Sequence, residues 1–200
     1  MNNDQTSVDV VIPSYRPDEK FSRLVKKLRE QEYPIGTIFV INTKAGRFPK
    51  EVEQMEKVKV SHIERREFDH GATRDMGMQM SKAEIVVFMT QDAMPADREL
   101  IGALVGALAE NPQAGAAYAC QLPKKDCRFL EKYTRSFNYP EQSCLKTEKD
   151  VQTYGIKTYF CSNVCAAYDH RIYDEIGGFP EHAIFNEDMI YAGWMVKKGY

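Results

Sequence analysis

The chain has 200 residues, 43% of them hydrophobic and 28% charged, and a formal net charge of −2. That length suits one domain with its own core, and the composition excludes wholesale disorder. The charge excludes a global basic field for nucleic acid, and the apolar stretches, such as 84–90 and 100–109, are too short to span a bilayer.

Val8–Ile12 is a β-branched apolar run stopped by Pro13-Ser14-Tyr15-Arg16-Pro17, the pattern of a buried strand ended by a Pro-bounded loop. A helix is predicted over 18–31, with Phe21, Leu24, Val25 and Leu28 on one face. Further strands are predicted at 37–41, 58–63, 84–89 and 115–119, and helices at 49–57, 71–81 and 97–110. Strand alternating with helix predicts an α/β fold with a parallel sheet covered on both faces. In such sheets ligands bind beyond the carboxyl ends of the strands, so residues 13–16, 42–44, 64–70 and 90–93 are the first candidates. Residues 121–158 are polar and too long for a plain connection, and are predicted to be functional, partly helical or mobile. Regular structure returns at 159–168, followed by a short helix at 169–176 closed by Gly177-Gly178. The last helix starts near Asn186, with Glu187 and Asp188 in its first turn and Lys197 and Lys198 before Gly199.

The five cysteines match no metal-finger spacing and read as reduced, structural thiols of a cytoplasmic chain. Met1–Ser7 has neither a basic n-region nor an apolar h-region, so no secretion leader is expected.

No Gly-x-Gly-x-x-Gly turn follows the first strand and no Gly-x-x-x-x-Gly-Lys-Ser/Thr loop exists, which argues against dinucleotide and P-loop sites. Tyr15 can stack on a nucleobase or be a buried Tyr with a wet hydroxyl. Asp92, at the end of the fourth strand beside Gln91, can ligate a hard cation shared with a phosphate, or can cap the turn toward Pro95. Glu187 and Asp188 can be ordinary helix-dipole acids, or one of them a general base held ionised by the helix N-terminus. Arg74 can contact a phosphate, ribose or base, or be a surface Arg paired with Asp75 or Glu67.

Val10-Val11-Ile12-Pro13-Ser14-Tyr15-Arg16, the run Phe68–Asp75, Glu84–Ala93, Gln121-Leu122-Pro123, Arg135–Pro140, Ser162–Tyr168, Gly177–Pro180 and Asn186-Glu187-Asp188 together resemble family 2 glycosyltransferases, in their rhamnosyltransferase branch. The resemblance runs over nearly the whole chain in order and spacing. It implies a GT-A (Rossmann-like) three-layer α/β/α fold with a central, mostly parallel sheet. It implies one catalytic domain over 1–200, with a nucleotide-sugar half at about 1–120 and an acceptor half at about 121–200, truncated at its C-terminus. The implied activity is inverting, metal-assisted transfer of a sugar such as rhamnose, from a dTDP- or UDP-sugar to a hydroxyl of a glycan or lipid-linked acceptor. The alternative is a non-catalytic nucleotide-sugar-binding or assembly module.

By the same resemblance Pro13, Tyr15, Asn42, Arg74 and Gln91 contact the nucleotide. Asp92 binds a divalent cation, Mg²⁺ or Mn²⁺. Asp188 is the catalytic base, and Glu187 orients the acceptor or base. Asn42 stands where the family usually has a base-binding Asp, and Ala119-Cys120 where the branch often has Gly-Arg. Residues 121–158 are expected to form an acceptor-side flap. The implied location is the cytoplasm at the inner face of the membrane, with peripheral association through a C-terminal region beyond Tyr200 and no nucleic-acid partner.

Overall fold

The computed structural model describes residues 5–124 and 126–200. In chain order the elements are β1 (Val8–Tyr15), α1 (Glu19–Arg29), β2 (Ile38–Thr43), α2 (Lys50–Glu53), β3 (Val58–Ile63), α3 (His70–Met80) and β4 (Ile85–Met89). They continue with α4 (Leu100–Glu110), β5 (Ala116–Tyr118), α5 (Phe129–Asn138), α6 (Val151–Tyr154), β6 (Cys165–Asp169), α7 (His170–Ile176) and α8 (Glu187–Lys198). Short 3₁₀ turns lie at Arg65–Glu67, Glu148–Asp150 and Gly155–Tyr159.

The sheet has the order β3-β2-β1-β4-β6-β5. β3, β2, β1 and β4 are mutually parallel, and β6 runs antiparallel to both β4 and β5. The mostly parallel sheet that the resemblance implies is present, with one antiparallel strand: β5 does not pair with β4, because β6 is inserted between them from a later part of the chain.

Alternation along the strands sends successive side chains to opposite faces. Val8, Val10, Ile12, Val40 and Val87 meet α1, α2 and α4 through Phe21, Leu24, Leu28, Val52, Ile101 and Leu104. Val11, Phe39, Val86, Phe88 and Tyr168 meet α3, α7 and α8 through Met78, Tyr173, Tyr191 and Met195. The result is the three-layer α/β/α arrangement. Gly77 lets α3 lie close on β1, since a Cβ there would sit 2.3 Å from Val11 Cγ1.

Several boundaries shift for local reasons. β1 runs through Pro13 to Tyr15. Val10 N–H points to β2, so by alternation the missing Pro13 N–H falls on the β4 side, where pairing has ended at Val11. The helix expected at 49–57 stops at Glu53, because Lys57 adopts φ +62° and β3 starts at Val58. α4 starts at Leu100 because the Asp97 carboxylate accepts the Glu99 N–H in a turn of its own. Of the stretch at 159–168, only the part from Cys165 is strand.

Candidate functional site

The predicted residues gather at the carboxyl edge of β1, β2 and β4 and at the first turns of α3 and α8. Where β4 has ended, the Gln91 amide takes over its ladder. Its Oε1 accepts the Tyr15 N–H at 2.9 Å, and its Nε2 donates to the Tyr15 carbonyl at 2.9 Å. Gln91 thus positions Tyr15. Tyr15 keeps a half-exposed ring, with the Arg16 guanidinium 5.2 Å from its centre. Pro13 is half-buried in β1 behind it.

Asn42 is buried rather than presented to solvent. Its Oδ1 accepts from Ser14 Oγ at 3.2 Å and its Nδ2 faces His62 Nδ1 at 3.0 Å. The imidazole continues to Glu53 Oε1 at 3.2 Å. Parallel pairing of Ser14 with Asn42 and of Asn42 with His62 lines these groups up side by side.

Arg74 departs from both sequence expectations for its partner. It is not a surface Arg paired with Asp75 or Glu67. It is 6% exposed and binds Glu187 Oε1 at 3.0 Å, while its Nη1 also donates to the His70 carbonyl at 2.8 Å. Its Nε finds no partner among the described residues. Asp75 is taken by the Tyr173 hydroxyl and the Phe179 N–H, and Glu67 by the Glu64 N–H.

Two α3 carboxylates hold the loop that leads into α8. Asp69 caps α3 through Gly71 and Ala72 and accepts the His182 N–H at 3.0 Å. Asp75 holds Phe179 just past Gly177 and Gly178, whose positive φ values turn the chain out of α7. The loop ends on Asn186 at φ +64°, which makes no side-chain cap. From there Glu187 turns inward to Arg74.

Burial pushes the Asp75 carboxyl up to about 6, with Glu181 and Asp69 adding repulsion against the helping Phe179 N–H. The folded chain then holds a proton that the unfolded chain, near 3.8, has released. This group's contribution to stability is present at low pH and lost as pH rises through about 6. Asp75→Asn keeps an acceptor but cannot ionise. Relative to the parent it should gain about 1 kcal/mol between pH 4 and pH 7, after discounting for solvent at this half-exposed carboxyl. Urea unfolding at the two pH values measures this, and an unchanged difference would discard the protonated Asp75.

Asp188 Oδ2 accepts the Asn163 N–H at 2.9 Å and its Oδ1 accepts the Met189 N–H at 2.8 Å. Burial raises its pKa above the usual carboxylate value, and the neighbouring Glu187 adds to this. The two backbone N–H groups and Arg74 oppose it. Desolvation is thus the largest influence on the Asp188 carboxyl.

Asn163 organises this edge, and sequence reasoning assigned it no role. It is buried, with its Nδ2 3.4 Å from Glu187 Oε1 and its Oδ1 accepting from Tyr168 Oη at 2.9 Å. The next residue, Val164, accepts the Thr90 N–H at 3.2 Å. Asp188 is thereby tied to the end of β4, two residues from Asp92.

Asp92 itself is exposed. No group of three or more His, Cys, Asp or Glu side chains among the described residues could cage a metal. The Thr90 hydroxyl nearby in sequence is buried with no partner among the described residues. One open carboxylate fits Mg²⁺ or Mn²⁺ only where a diphosphate supplies other ligands.

Burial pushes the Cys161 and Cys165 thiols up to about 12, in keeping with structural roles, and all five cysteines are free. No helix of the described residues is long and apolar enough to cross a membrane.

The model of glycosyl transferase family 2 matches residues 9–177. The O-antigen chain rhamnosyltransferase RfbN of Salmonella typhimurium is 32% identical over 195 residues, covering 96% of this chain and 62% of that protein. The O-antigen chain rhamnosyltransferase WbaN of Salmonella anatum is 29% identical over 196 residues, covering 97% and 62%. The chain thus spans just under two thirds of the length of these relatives. Among solved structures, the mannosyltransferase PcManGT from Pyrobaculum calidifontis, in complex with GDP-Man and Mn²⁺, superposes with TM-score 0.72 at 19% identity, covering 99% of this chain and 54% of that one. S. aureus TarS 1–349 in complex with UDP-GlcNAc gives TM-score 0.65 at 15% identity, covering 95% and 53%.

Proposed function

Because this chain belongs to glycosyl transferase family 2, with the GT-A type of α/β fold, we propose that it transfers a sugar from a nucleotide diphosphate to an acceptor hydroxyl. The relatives point to rhamnose as the sugar and to a growing surface polysaccharide as the acceptor. The observation that carries the reading is the backbone link Thr90–Val164–Asn163–Asp188, which brings the base candidate to the strand end bearing Asp92.

Tyr15, held by Gln91, offers its ring to the nucleobase. Asn42, bonded to Ser14, and Arg74, paired with Glu187, are the further candidates for the nucleotide. A divalent cation, if bound by Asp92 and the diphosphate, supplies charge neutralisation for the leaving group. Asp188 takes the proton of the attacking hydroxyl. Its raised pKa makes it a stronger base than an ordinary carboxylate. Its two oxygens are each fixed by one backbone N–H, which holds the carboxylate still for that transfer. One base, with the neighbouring Glu187 held by Arg74, suits a single displacement with inversion.

The test is nucleotide binding by calorimetry, with dTDP-, UDP- and GDP-sugars in the presence and absence of Mn²⁺. Metal-dependent binding should weaken ~10-fold or more in Asp92→Asn, the scale of one lost charge-assisted contact. Binding that ignores both the metal and Asp92 would remove the cation from the proposal.

A further inference from the structure

α5 is mounted with its polar side inward. Glu131, Arg135 and Asn138 are its half-buried positions, and none of its residues is fully buried. The Arg135 guanidinium bonds the Gln121 side-chain carbonyl, and Gln121 Nε2 donates to Ser162 Oγ at 3.0 Å. The apolar side points away from the body: Phe129 is 83% exposed, Leu130 72%, Tyr133 55% and Phe137 54%.

Phe129, Tyr133 and Phe137 recur every four residues and form a ladder about 12 Å long. Their rings stack at 6.4 and 6.1 Å with interplanar angles of 25° and 22°. Leu122, before the helix, is exposed as well. Lys157 lies 3.0 Å from the Phe137 ring centre, beside the exposed Ile156. An amphipathic helix that leaves its apolar face in water carries a standing cost unless something covers it.

Charge tells what covers it. Residues 122–138 carry five basic and two acidic residues, in a chain whose net charge is −2. Lys124, Arg128 and Lys132 are exposed around the ladder. A groove of about 590 Å³ beside the helix is lined by Lys124, Arg128, Leu130 and Arg135, with Asp126 and Glu131 as its acids. An apolar aromatic stripe flanked by cations is the pattern of a helix lying in the interface of an anionic bilayer. A second copy of the chain fits less well, because a two-fold pairing of this face sets its cations against each other. A sugar chain fits less well too, because the rings face one another along the helix and offer no flat platform.

We propose that α5 is a membrane-docking helix, which seats Phe129, Leu130, Tyr133 and Phe137 at the acyl boundary of anionic phospholipids. The contacts Arg135–Gln121–Ser162 join its inner side to Asn163 and hence to Asp188. The candidate site then opens beside the bilayer surface, where a lipid-linked hydroxyl would reach it. Attachment then lies within residues 122–138.

The test needs no sugar transfer, so it can fail while the transferase reading stands. The intact chain is sedimented with vesicles of phosphatidylcholine alone and of phosphatidylcholine with phosphatidylglycerol. It should partition onto the phosphatidylglycerol vesicles and be released by raised salt. Replacing the ladder with F129S, Y133S and F137S together should cut partitioning ~10-fold or more, with the melting temperature unchanged because the rings are exposed. K124E with K132E should remove the preference for phosphatidylglycerol. Equal binding to both vesicle types, or full binding by the ladder variant, overturns the proposal. So does a concentration-dependent dimer in analytical ultracentrifugation that the ladder variant abolishes.

Discussion

Asp188→Asn should lower the transfer rate by ~10²–10⁴, the span usual for a lost general base, while leaving nucleotide-sugar binding nearly intact. An amide cannot take the hydroxyl proton. It also fits the site imperfectly, since Asn has one acceptor oxygen where Asp188 uses two, for Asn163 N–H and Met189 N–H. One buried N–H is then left facing an NH₂ group, at a cost of about 1–3 kcal/mol in stability. The two effects separate experimentally: turnover is measured with acceptor in excess, and unfolding by urea under the same conditions. A variant that transfers sugar at the parent rate would reduce Asp188 to a structural acid at the start of α8.

Arg74→Met should be the most destabilising single change at the site. Both members of the Arg74–Glu187 pair are buried, so removing the cation strands a carboxylate where water cannot reach it. Breaking a buried pair from one side costs about 3–5 kcal/mol. For a domain of this size that corresponds to a fall of about 6–20 °C in melting temperature. Glu187→Gln added to Arg74→Met should recover much of the loss, because the amide has no charge to desolvate. Calorimetric unfolding of the two variants decides it. If Arg74→Met melts like the parent and only nucleotide binding suffers, then Arg74 works directly on the ligand.

The parallel half of the molecule is legible in the sequence because its signals are local. β1 to β4 are β-branched runs, and α1 and α4 carry apolar stripes on one face. Tyr15 and Asn42 in the last residues of β1 and β2, and Gln91 and Asp92 just past β4, all stand at the carboxyl edge. Asn163 escaped for a directional reason. β6 runs antiparallel to β4, so the residue at the same edge precedes the strand rather than following it. A polar Asn just before the apolar run Val164–Ala167 was the available signal. The partners of Arg74, Asp75 and Gln91 were illegible for a different reason. They lie 76 to 113 residues away in sequence, brought together only when α3, β1 and the α8 loop pack. Desolvation of Asp188 likewise depends on that packing, whereas the helix dipole can be read from the sequence alone.

The insertion of β6 between β4 and β5 also dictates an order of assembly during synthesis. β5 pairs with no other strand, so it cannot join the sheet until Cys165–Asp169 has left the ribosome. Until then the five residues of β4, each buried in the finished molecule, present an open apolar edge to any extended chain nearby. The nascent chain must hold that edge unpaired while about 75 residues after β4 emerge, some 4–15 seconds at ordinary elongation rates. The partner that arrives last is the strand whose entry also delivers Asn163. Closing the aggregation-prone edge therefore also sets in place the Asn163 N–H that Asp188, later in the chain, goes on to meet.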